Sequence, residues 1–198
     1  GIVDDKTRKG FTLVHKYVED LNRILWNSLE NENLVAMPVH PSSFVVQDDW
    51  SIQSFRTNVI EGLLKNKIIP LRYGDMVLDL KRGCSIISGD DVVPRLARKL
   101  GAHRVLMGTN TDGIFDKDPS RFKDASLIHE IRNENYSLVL DGLSGSSQID
   151  VTGGMKEKVK KLVNSVRGTE CLIYNAEKPG LTEKVLNGEK IGTKISIS

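Results

Sequence analysis

Apolar residues recur at steps of three and four along the first long segment of the chain. They predict one amphipathic helix from about Gly10 to Glu30. Its stripe consists of Leu13, Val14, Tyr17, Val18, Leu21, Ile24, Leu25 and Leu29. A stripe of this kind packs either on the sheet of its own domain or against a partner subunit.

Short apolar runs and amphipathic segments alternate through the rest of the chain. The apolar runs predict buried strands at residues 34–40, 67–72, 103–108, 171–175 and at the C-terminal IGTKISI. Helical spacing is seen at residues 54–66, 88–100, 155–166 and 181–186, and residues 76–87 predict a hairpin. A polar stretch follows Pro41, and residues 142–147 are typical of a linker or mobile loop.

This alternation is typical of an α/β fold, and we predict a three-layer αβα sandwich with a largely parallel central sheet. In such sheets ligands bind beyond the carboxyl ends of the strands. The loops that follow strands are therefore the places to look for chemistry. They are HPSS (40–43), YGD (73–75), SGDD (88–91), GTNTDGIFDKDP (108–119) and NAEKPG (175–180).

Composition narrows the function classes. With 198 residues, 39% hydrophobic, the chain can bury a core and has the size of one ordinary domain. Lys and Arg number 28 against 26 Asp and Glu, which argues against a nucleic-acid binder. The two cysteines are far apart in sequence, so no zinc site or disulfide framework is indicated. No apolar run approaches a membrane span and the start is polar, so we expect a cytoplasmic protein.

The tetrapeptide SGDD stands between a predicted strand and a predicted helix. Gly89 lets the backbone approach a ligand closely, and the N–H groups of a helix N-terminus suit a phosphate. One of the two acids would then orient a lysine or meet a metal ion. The competing interpretation is an ordinary Ser N-cap followed by two favourable first-turn acids.

Two further segments have a similar character. The loop 108–119 offers backbone amides, the polar side chains of Asn110 and Asp112 and the ring of Phe115 to a nucleotide. The segment 150–158 leads two glycines into a helix, with Lys158 about one turn inside it. The competing interpretations are a plain turn rich in Asp and Gly, and a glycine-bounded helix with a solvated lysine.

The four histidines have no metal-ligand spacing. His103 and His129 lie at predicted strand ends, where a structural role is expected. His15 on the long helix and His40 after a strand are candidates for lining a pocket.

Taken in order, SGDD, TDGIFDKDP and VTGGMxxK closely resemble the amino acid kinase superfamily, and most of all its isopentenyl phosphate kinase branch. GFTLVHKYVEDLN, PVHPSSF, LRYGDM, SGDDVVPRLA and EKIGTKI carry the same resemblance. The resemblance covers essentially every residue of this chain. On the family's side, these motifs belong to the C-terminal three quarters of the usual domain.

The resemblance implies an enzyme that passes the γ-phosphoryl group of ATP, with Mg²⁺, directly to isopentenyl phosphate in isoprenoid biosynthesis. It implies that Gly89 contacts the acceptor phosphate and that Asp90 is the acid that organises catalytic lysines. The implied nucleotide-binding residues are Asn110, Asp112, Gly113, Phe115, Asp118, Gly154 and Lys158. No metal ligand is indicated. The family is commonly dimeric through the long helix, here near residues 10–30.

The chain also departs from the family pattern. Relatives carry a KxGGS loop for ATP phosphates and a HGGGSFGH-type loop whose histidine contacts the acceptor, and neither motif occurs here. We therefore expect one N-terminally incomplete domain over residues 1–198 that is inactive alone, with part of its sheet core uncovered. Residues 1–87 would form the acceptor and dimer part, and residues 88–198 the nucleotide-binding part.

Two other functions stay open. A superfamily member with another acceptor, such as fosfomycin, a nucleoside monophosphate or an acylated amino acid, would need a more polar pocket. A carboxylate acceptor would need an arginine, for which Arg56 and Arg72 are the candidates. A non-catalytic dimerisation or binding module would not be stabilised by ATP.

Overall fold

The computed structural model describes residues 1–143 and 154–197 and divides the chain into two compact units, Gly1–Val93 and Pro94–Ser198. The helices are α1 (Asp5–Asn31), α2 (Asn58–Lys65), α3 (Gly89–Leu100), α4 (Tyr136–Gly142), α5 (Gly154–Val166) and α6 (Leu181–Leu186). The strands are β1 (Ala36–Pro38), β2 (Val45–Asp48), β3 (Ser51–Phe55), β4 (Ile69–Leu71), β5 (Asp75–Asp79), β6 (Gly83–Ile87), β7 (Arg104–Thr109), β8 (Glu130–Arg132), β9 (Glu170–Asn175) and β10 (Thr193–Ser196). None of the helices within the described ranges is long and apolar enough to cross a membrane.

The predicted long helix is confirmed as α1, although it begins at Asp5 rather than near Gly10. Asp4 caps it: its carboxylate accepts from the Thr7 N–H at 2.7 Å, and the Thr7 hydroxyl oxygen accepts from the Asp4 N–H at 3.0 Å. This reciprocal capping box satisfies two backbone donors that would otherwise be left unpaired, so the helix can start before the apolar stripe does.

The apolar stripe of α1 is mostly exposed. Tyr17, Leu21 and Ile24 are 63%, 67% and 65% exposed, and the helix instead turns Phe11, His15, Val18, Asn22 and Leu29 inward. Six of the eight stripe residues are therefore exposed on the described chain, and only Val18 and Leu29 face inward.

The first unit contains two sheets. In one, β1 pairs with β4 in parallel, and the other has the order β3-β2-β5-β6. The predicted hairpin is confirmed as β5–β6, with Asp75 opposite Ile87 and Asp79 opposite Gly83. The polar stretch after Pro41 contains a second hairpin, β2–β3, so the helix predicted from residue 54 begins at Asn58. Its turn residues Asp49 and Trp50 have φ of 48° and 70°, a conformation that turn sequences usually assign to Gly or Asn.

Asp79 joins the tips of both hairpins from a fully buried position. Its carboxylate accepts from the backbone N–H groups of Asp49, Trp50, Lys81 and Arg82 at 3.0–3.1 Å and from the Ser85 hydroxyl at 2.8 Å. Burial alone would raise the pKa of Asp79, but these hydrogen bonds outweigh it and hold the pKa well below its usual range.

We expect Asp79→Asn to lower stability at pH 7 and to flatten its acid dependence. A carboxylate whose pKa is depressed by folding contributes stability above its unfolded pKa of about 4 and loses it as pH falls. Urea unfolding at pH 7 and pH 3 checks this, with the exposed Asp48→Asn as control. Equal acid losses in wild type and Asp79→Asn would contradict it.

The second unit is a three-layer αβα structure around one sheet with the order β7-β9-β10-β8. Cys171 and Ile173 on β9 join a core beneath α3, α4 and α5, whereas Leu172 and Tyr174 pack on the other face with Val185 of α6. This alternation along one strand covers both faces of the sheet, as the sequence predicts for a buried strand.

The predicted α/β fold is confirmed, and the strands of the described residues are distributed over three sheets. Parallel pairs join β1–β4, β2–β5, β7–β9 and β8–β10, and antiparallel pairs join β2–β3, β5–β6 and β9–β10. α4 was not predicted, and β8 begins directly after His129, where the sequence predicted only a strand end. The helical spacing of residues 88–100 places Val93 on the inward face of α3, but the structure leaves it 41% exposed. From residue 144 onward, the linker predicted at 142–147 lies outside the described residues.

Candidate functional site

Polar side chains gather where β1 and β4 end in the first unit. The two strands are parallel and the Val39 N–H donates to the Leu71 oxygen at 2.9 Å, so the residues after each strand lie side by side. The ring atom Nδ1 of His40, which follows β1, lies 2.5 Å from the Tyr73 hydroxyl, which follows β4. Burial and the negative charges of Asp75 and Glu19 raise the pKa of Tyr73 to about 12.

A buried carboxylate brings the long helix to the same place. The Asp75 side chain is fully buried, and its Oδ1 lies 2.7 Å from Nδ1 of His15 and accepts from the Met76 N–H at 2.8 Å. The ring centroids of His15 and His40 are 5.5 Å apart. Sequence reasoning named both histidines as pocket candidates and pointed to the loop 73–75, but it did not single out Asp75, whose partner lies sixty residues away in sequence.

The residue between Tyr73 and Asp75 touches the start of α3. A Cβ added to Gly74 would lie 3.1 Å from the Ile87 oxygen and 3.4 Å from the Gly89 nitrogen, so the two segments are in contact. Apart from its chain neighbours and its own helix, a Cβ added to Gly89 would meet no atom of the described residues within 4 Å, so these residues leave the space in front of the glycine open.

Ser88 caps α3 as the competing interpretation of SGDD requires. Its Oγ accepts from the Asp91 N–H at 3.3 Å and donates to the Asp91 carboxylate at 2.8 Å. The Asp90 side chain is exposed and has no contact partner among the described residues. The cap leaves the first N–H groups of the helix available, so the two interpretations of SGDD are compatible.

Arg72 adds a positive charge to this end of the first unit. Its guanidinium lies 5.5 Å from the centroid of the Phe44 ring, and its buried Nη1 has no hydrogen-bond partner among the described residues. Burial lowers the pKa of Arg72 to about 10, which still leaves the group charged at neutral pH.

A second polar edge lies where β7 and β9 end in the second unit. The Ala176 N–H donates to the Thr109 oxygen at 2.8 Å, which joins the loops that follow the two strands. Asp112 lies 2.6 Å from Nζ of Lys178 and accepts from Nδ2 of buried Asn175 at 3.1 Å. The Lys178 and Asn175 contacts lower the pKa of Asp112. Sequence reasoning pointed to the loop 175–180 but did not single out these two partners.

The glycine of the same loop is fixed by packing. Gly113 has φ of 145°, and a Cβ there would lie 2.5 Å from Oγ1 of buried Thr193. That hydroxyl accepts from the Ile114 N–H at 2.8 Å and donates to the Ile128 oxygen at 2.6 Å. The contacts explain why glycine is needed here without reference to a ligand.

The remaining residues predicted to bind the nucleotide differ in their exposure and in their contacts with the rest of the chain. Asn110 is exposed, and Phe115 is half-buried and bridges to Leu127. The Asp118 carboxylate accepts from the N–H and hydroxyl of Ser120 at 2.9 and 2.6 Å, and these bonds lower the pKa of Asp118. Asp118 therefore caps a turn of its own loop. Gly154 begins α5, while the Lys158 side chain lies outside the described part of the chain.

The described residues include no group of three or more His, Cys, Asp and Glu side chains that could hold a metal ion. Both cysteines of the chain, Cys84 and Cys171, are buried free thiols.

Residues 4–175 match the amino acid kinase family. The chain is 39% identical over 193 residues to an isopentenyl phosphate kinase of Methanocaldococcus jannaschii, an alignment that covers 96% of this chain and 69% of the relative. It is 34% identical to an isopentenyl phosphate kinase of Methanothermobacter thermautotrophicus, covering 96% and 72%. Nearly all of this chain is matched in both alignments. The matched part of each relative, 69% and 72%, is slightly less than the three quarters of the family domain expected from the motifs.

The fold also matches a solved structure. A crystal structure described as isopentenyl phosphate kinase superposes with a TM-score of 0.76 at 28% identity, over 98% of this chain and 74% of that chain.

Proposed function

The chain belongs to the amino acid kinase family, and from that premise we propose that it transfers the γ-phosphoryl group of ATP to isopentenyl phosphate. The observation that carries the proposal is the 39% identity over 96% of the chain with a relative of that name. The product would be isopentenyl diphosphate. The enzyme is a phosphotransferase, as its family membership implies.

We assign the acceptor to the first unit. The open N-terminus of α3 at Gly89 offers backbone N–H groups and the positive end of the helix dipole to the acceptor phosphate. The acceptor is already an anion, so no strong general base is needed, and catalysis rests on positioning and charge neutralisation. The exposed Asp90 carboxylate next to Gly89 is free to orient a lysine, the role that the family resemblance gives it.

We assign the nucleotide to the second unit, on the edge formed by Asn110, Asp112, Gly113, Phe115 and Asp118. This edge fits ATP chemically: it carries backbone amides, the Phe115 ring and charges of both signs in Asp112 and Lys178. Gly154 and Lys158 at the start of α5 complete the proposed set.

Mg²⁺ fits the same edge. Proteins hold it with one or two carboxylates together with substrate phosphates and water, and Asp112 is one of the carboxylates of this loop. When bound, the ion would neutralise charge on the phosphates of ATP. The residues of the chain would orient the nucleotide around it.

An ADP-coupled assay with the protein made from its complete reading frame tests the proposal. We expect turnover with isopentenyl phosphate to exceed that with UMP, fosfomycin or an N-acylated amino acid. A higher kcat/KM for any of these would reassign the acceptor. Failure of ATP to stabilise the protein against thermal unfolding would instead support the non-catalytic module.

One observation favours a carboxylate acceptor as the second candidate. Arg72 is half-buried, its buried Nη1 has no hydrogen-bond partner among the described residues, and a guanidinium binds carboxylates in a bidentate manner. The N-acylated amino acid in the assay is the substrate that separates this candidate from the first.

We further propose that a second copy of the chain covers the exposed stripe of α1. The six exposed members are Leu13, Val14, Tyr17, Leu21, Ile24 and Leu25. A contiguous apolar helix face of this kind is typical of a subunit interface.

Replacing Leu21 and Ile24 together by Glu is expected to convert the dimer to a monomer. Burying two such side chains contributes roughly 3–5 kcal/mol, which the charged replacements would remove. Light scattering after gel filtration measures the mass, and Lys16→Glu on an exposed polar position of the same helix is the control. A wild-type protein that is already monomeric would overturn this proposal.

A further inference from the structure

Two histidines of the first unit are anchored in the same way beside the proposed acceptor site. Nδ1 of His15 is held by the buried Asp75 carboxylate at 2.7 Å, and Nδ1 of His40 by the Tyr73 hydroxyl at 2.5 Å. Neither Nε2 atom has a hydrogen-bond partner among the described residues, and the His15 side chain is 31% exposed. Both rings therefore have one nitrogen fixed and the other available.

The anchors tie these rings to the N-terminus of α3. Tyr73 and Asp75 flank Gly74, which contacts the backbone of Ser88 and Gly89. The two rings lie 5.5 Å apart, a separation at which one phosphate group can reach both. We propose that His15 and His40 bind the phosphate of the acceptor through their Nε2 atoms, an inference that rests on the proposed function.

The anchors set the proton on each ring. Tyr73 keeps its proton through the neutral range because burial and nearby negative charges raise its pKa to about 12. The protonated hydroxyl can donate to Nδ1 of His40, and in that tautomer a neutral His40 carries its proton on Nε2 and can donate it to an anion.

His15 acts differently because a carboxylate can only accept. Its Nδ1–H donates to Asp75, so its Nε2 can donate to the acceptor phosphate only when the ring carries both protons, as a charge-assisted hydrogen bond. The His40 ring is its neighbour, and the charge of Glu19 on α1 acts on Tyr73, the partner of His40.

Replacing His15 or His40 by asparagine removes the proposed phosphate contact of Nε2 and keeps the hydrogen bond that Nδ1 makes. In His15→Asn the amide N–H replaces Nδ1–H toward Asp75, and in His40→Asn the amide oxygen accepts from Tyr73, while each variant lacks Nε2. We expect each to weaken isopentenyl phosphate binding about tenfold, the loss of one hydrogen bond to a charged group. The KM for ATP and the urea midpoint should stay near wild type. His40→Gln, which restores an N–H near the Nε2 position, should recover most of the affinity.

The measurements are calorimetric titration with isopentenyl phosphate and the kinetic assay, with the exposed His103→Gln as control. Affinity within twofold of wild type in both asparagine variants, or no binding to wild type, would overturn the inference. A lower urea midpoint with unchanged acceptor affinity would also overturn it, since the histidines would then be structural. Binding without turnover in wild type would reject the proposed function, while the variants would still decide the role of the histidines.

Discussion

Gly192→Ala is expected to destabilise the protein more than any other small substitution considered for this chain. A Cβ at this position would lie 2.0 Å from the Ile173 oxygen and 3.1 Å from the Asp112 oxygen, both backbone atoms that cannot move aside. The next residue, Thr193, pairs with Ile173, so relief of the clash would push β10 away from β9. We expect a loss of about 3–5 kcal/mol in the free energy of unfolding.

The consequence would extend to the proposed nucleotide edge. Thr193 is fully buried, and its hydroxyl holds both the Ile114 N–H and the Ile128 oxygen. Displacing β10 would leave those groups unsatisfied, which costs further stability. The loop that carries Asp112 would lose its support at the same time.

Gly188→Ala is the matched control for this prediction. Gly188 has φ of 98°, against 101° for Gly192, and a Cβ there meets nothing within 4 Å. It should therefore show only the conformational cost of a positive φ, about 1–2 kcal/mol. Urea unfolding of the two variants measures the difference, and equal losses would show that the contact with β9 is not decisive.

Gly89→Ala is expected to have the largest effect on activity while leaving stability nearly unchanged. Outside its own helix and chain neighbours, the added methyl group meets no atom of the described residues within 4 Å, and alanine is a better helix former than glycine. If the acceptor phosphate approaches the backbone at Gly89, the methyl group occupies its space. We expect kcat/KM for isopentenyl phosphate to fall about a hundredfold, the cost of a displacement near 1 Å at a reacting group.

Gly62→Ala controls for the substitution itself. Gly62 lies inside α2, and a Cβ there also meets nothing within 4 Å. Both variants should unfold near the wild-type midpoint, and only Gly89→Ala should lose activity. Full activity in Gly89→Ala would place the acceptor phosphate elsewhere.

The local pattern of apolar and polar residues was sufficient to predict those elements whose own sequence contains the signal. The heptad-like spacing predicted α1, and the Lys81–Gly83 turn predicted the β5–β6 hairpin. The hairpin β2–β3 was missed because Asp49 and Trp50 adopt positive φ without being Gly or Asn. They are held there by hydrogen bonds to Asp79, thirty residues later, which no local signal contains.

The candidate site shows the same division. Gly89, Asp112 and the loops that follow strands could be named from the sequence, because glycine and acidic residues at strand ends have recognisable uses. Lys178 beside Asp112 could not be paired with it, since these residues are distant along the chain and meet only because β7 and β9 are adjacent and parallel.

The sequence by itself determined the α/β class, the long first helix and the family resemblance, because periodicity and ordered motifs are local properties. Only the tertiary structure decided that the α1 stripe is exposed, and that Asp75 and Tyr73 anchor His15 and His40. Exposure and long-range hydrogen bonding depend on which elements become neighbours. That choice is made by packing of the whole chain, where burial of apolar surface and pairing of buried polar groups act together.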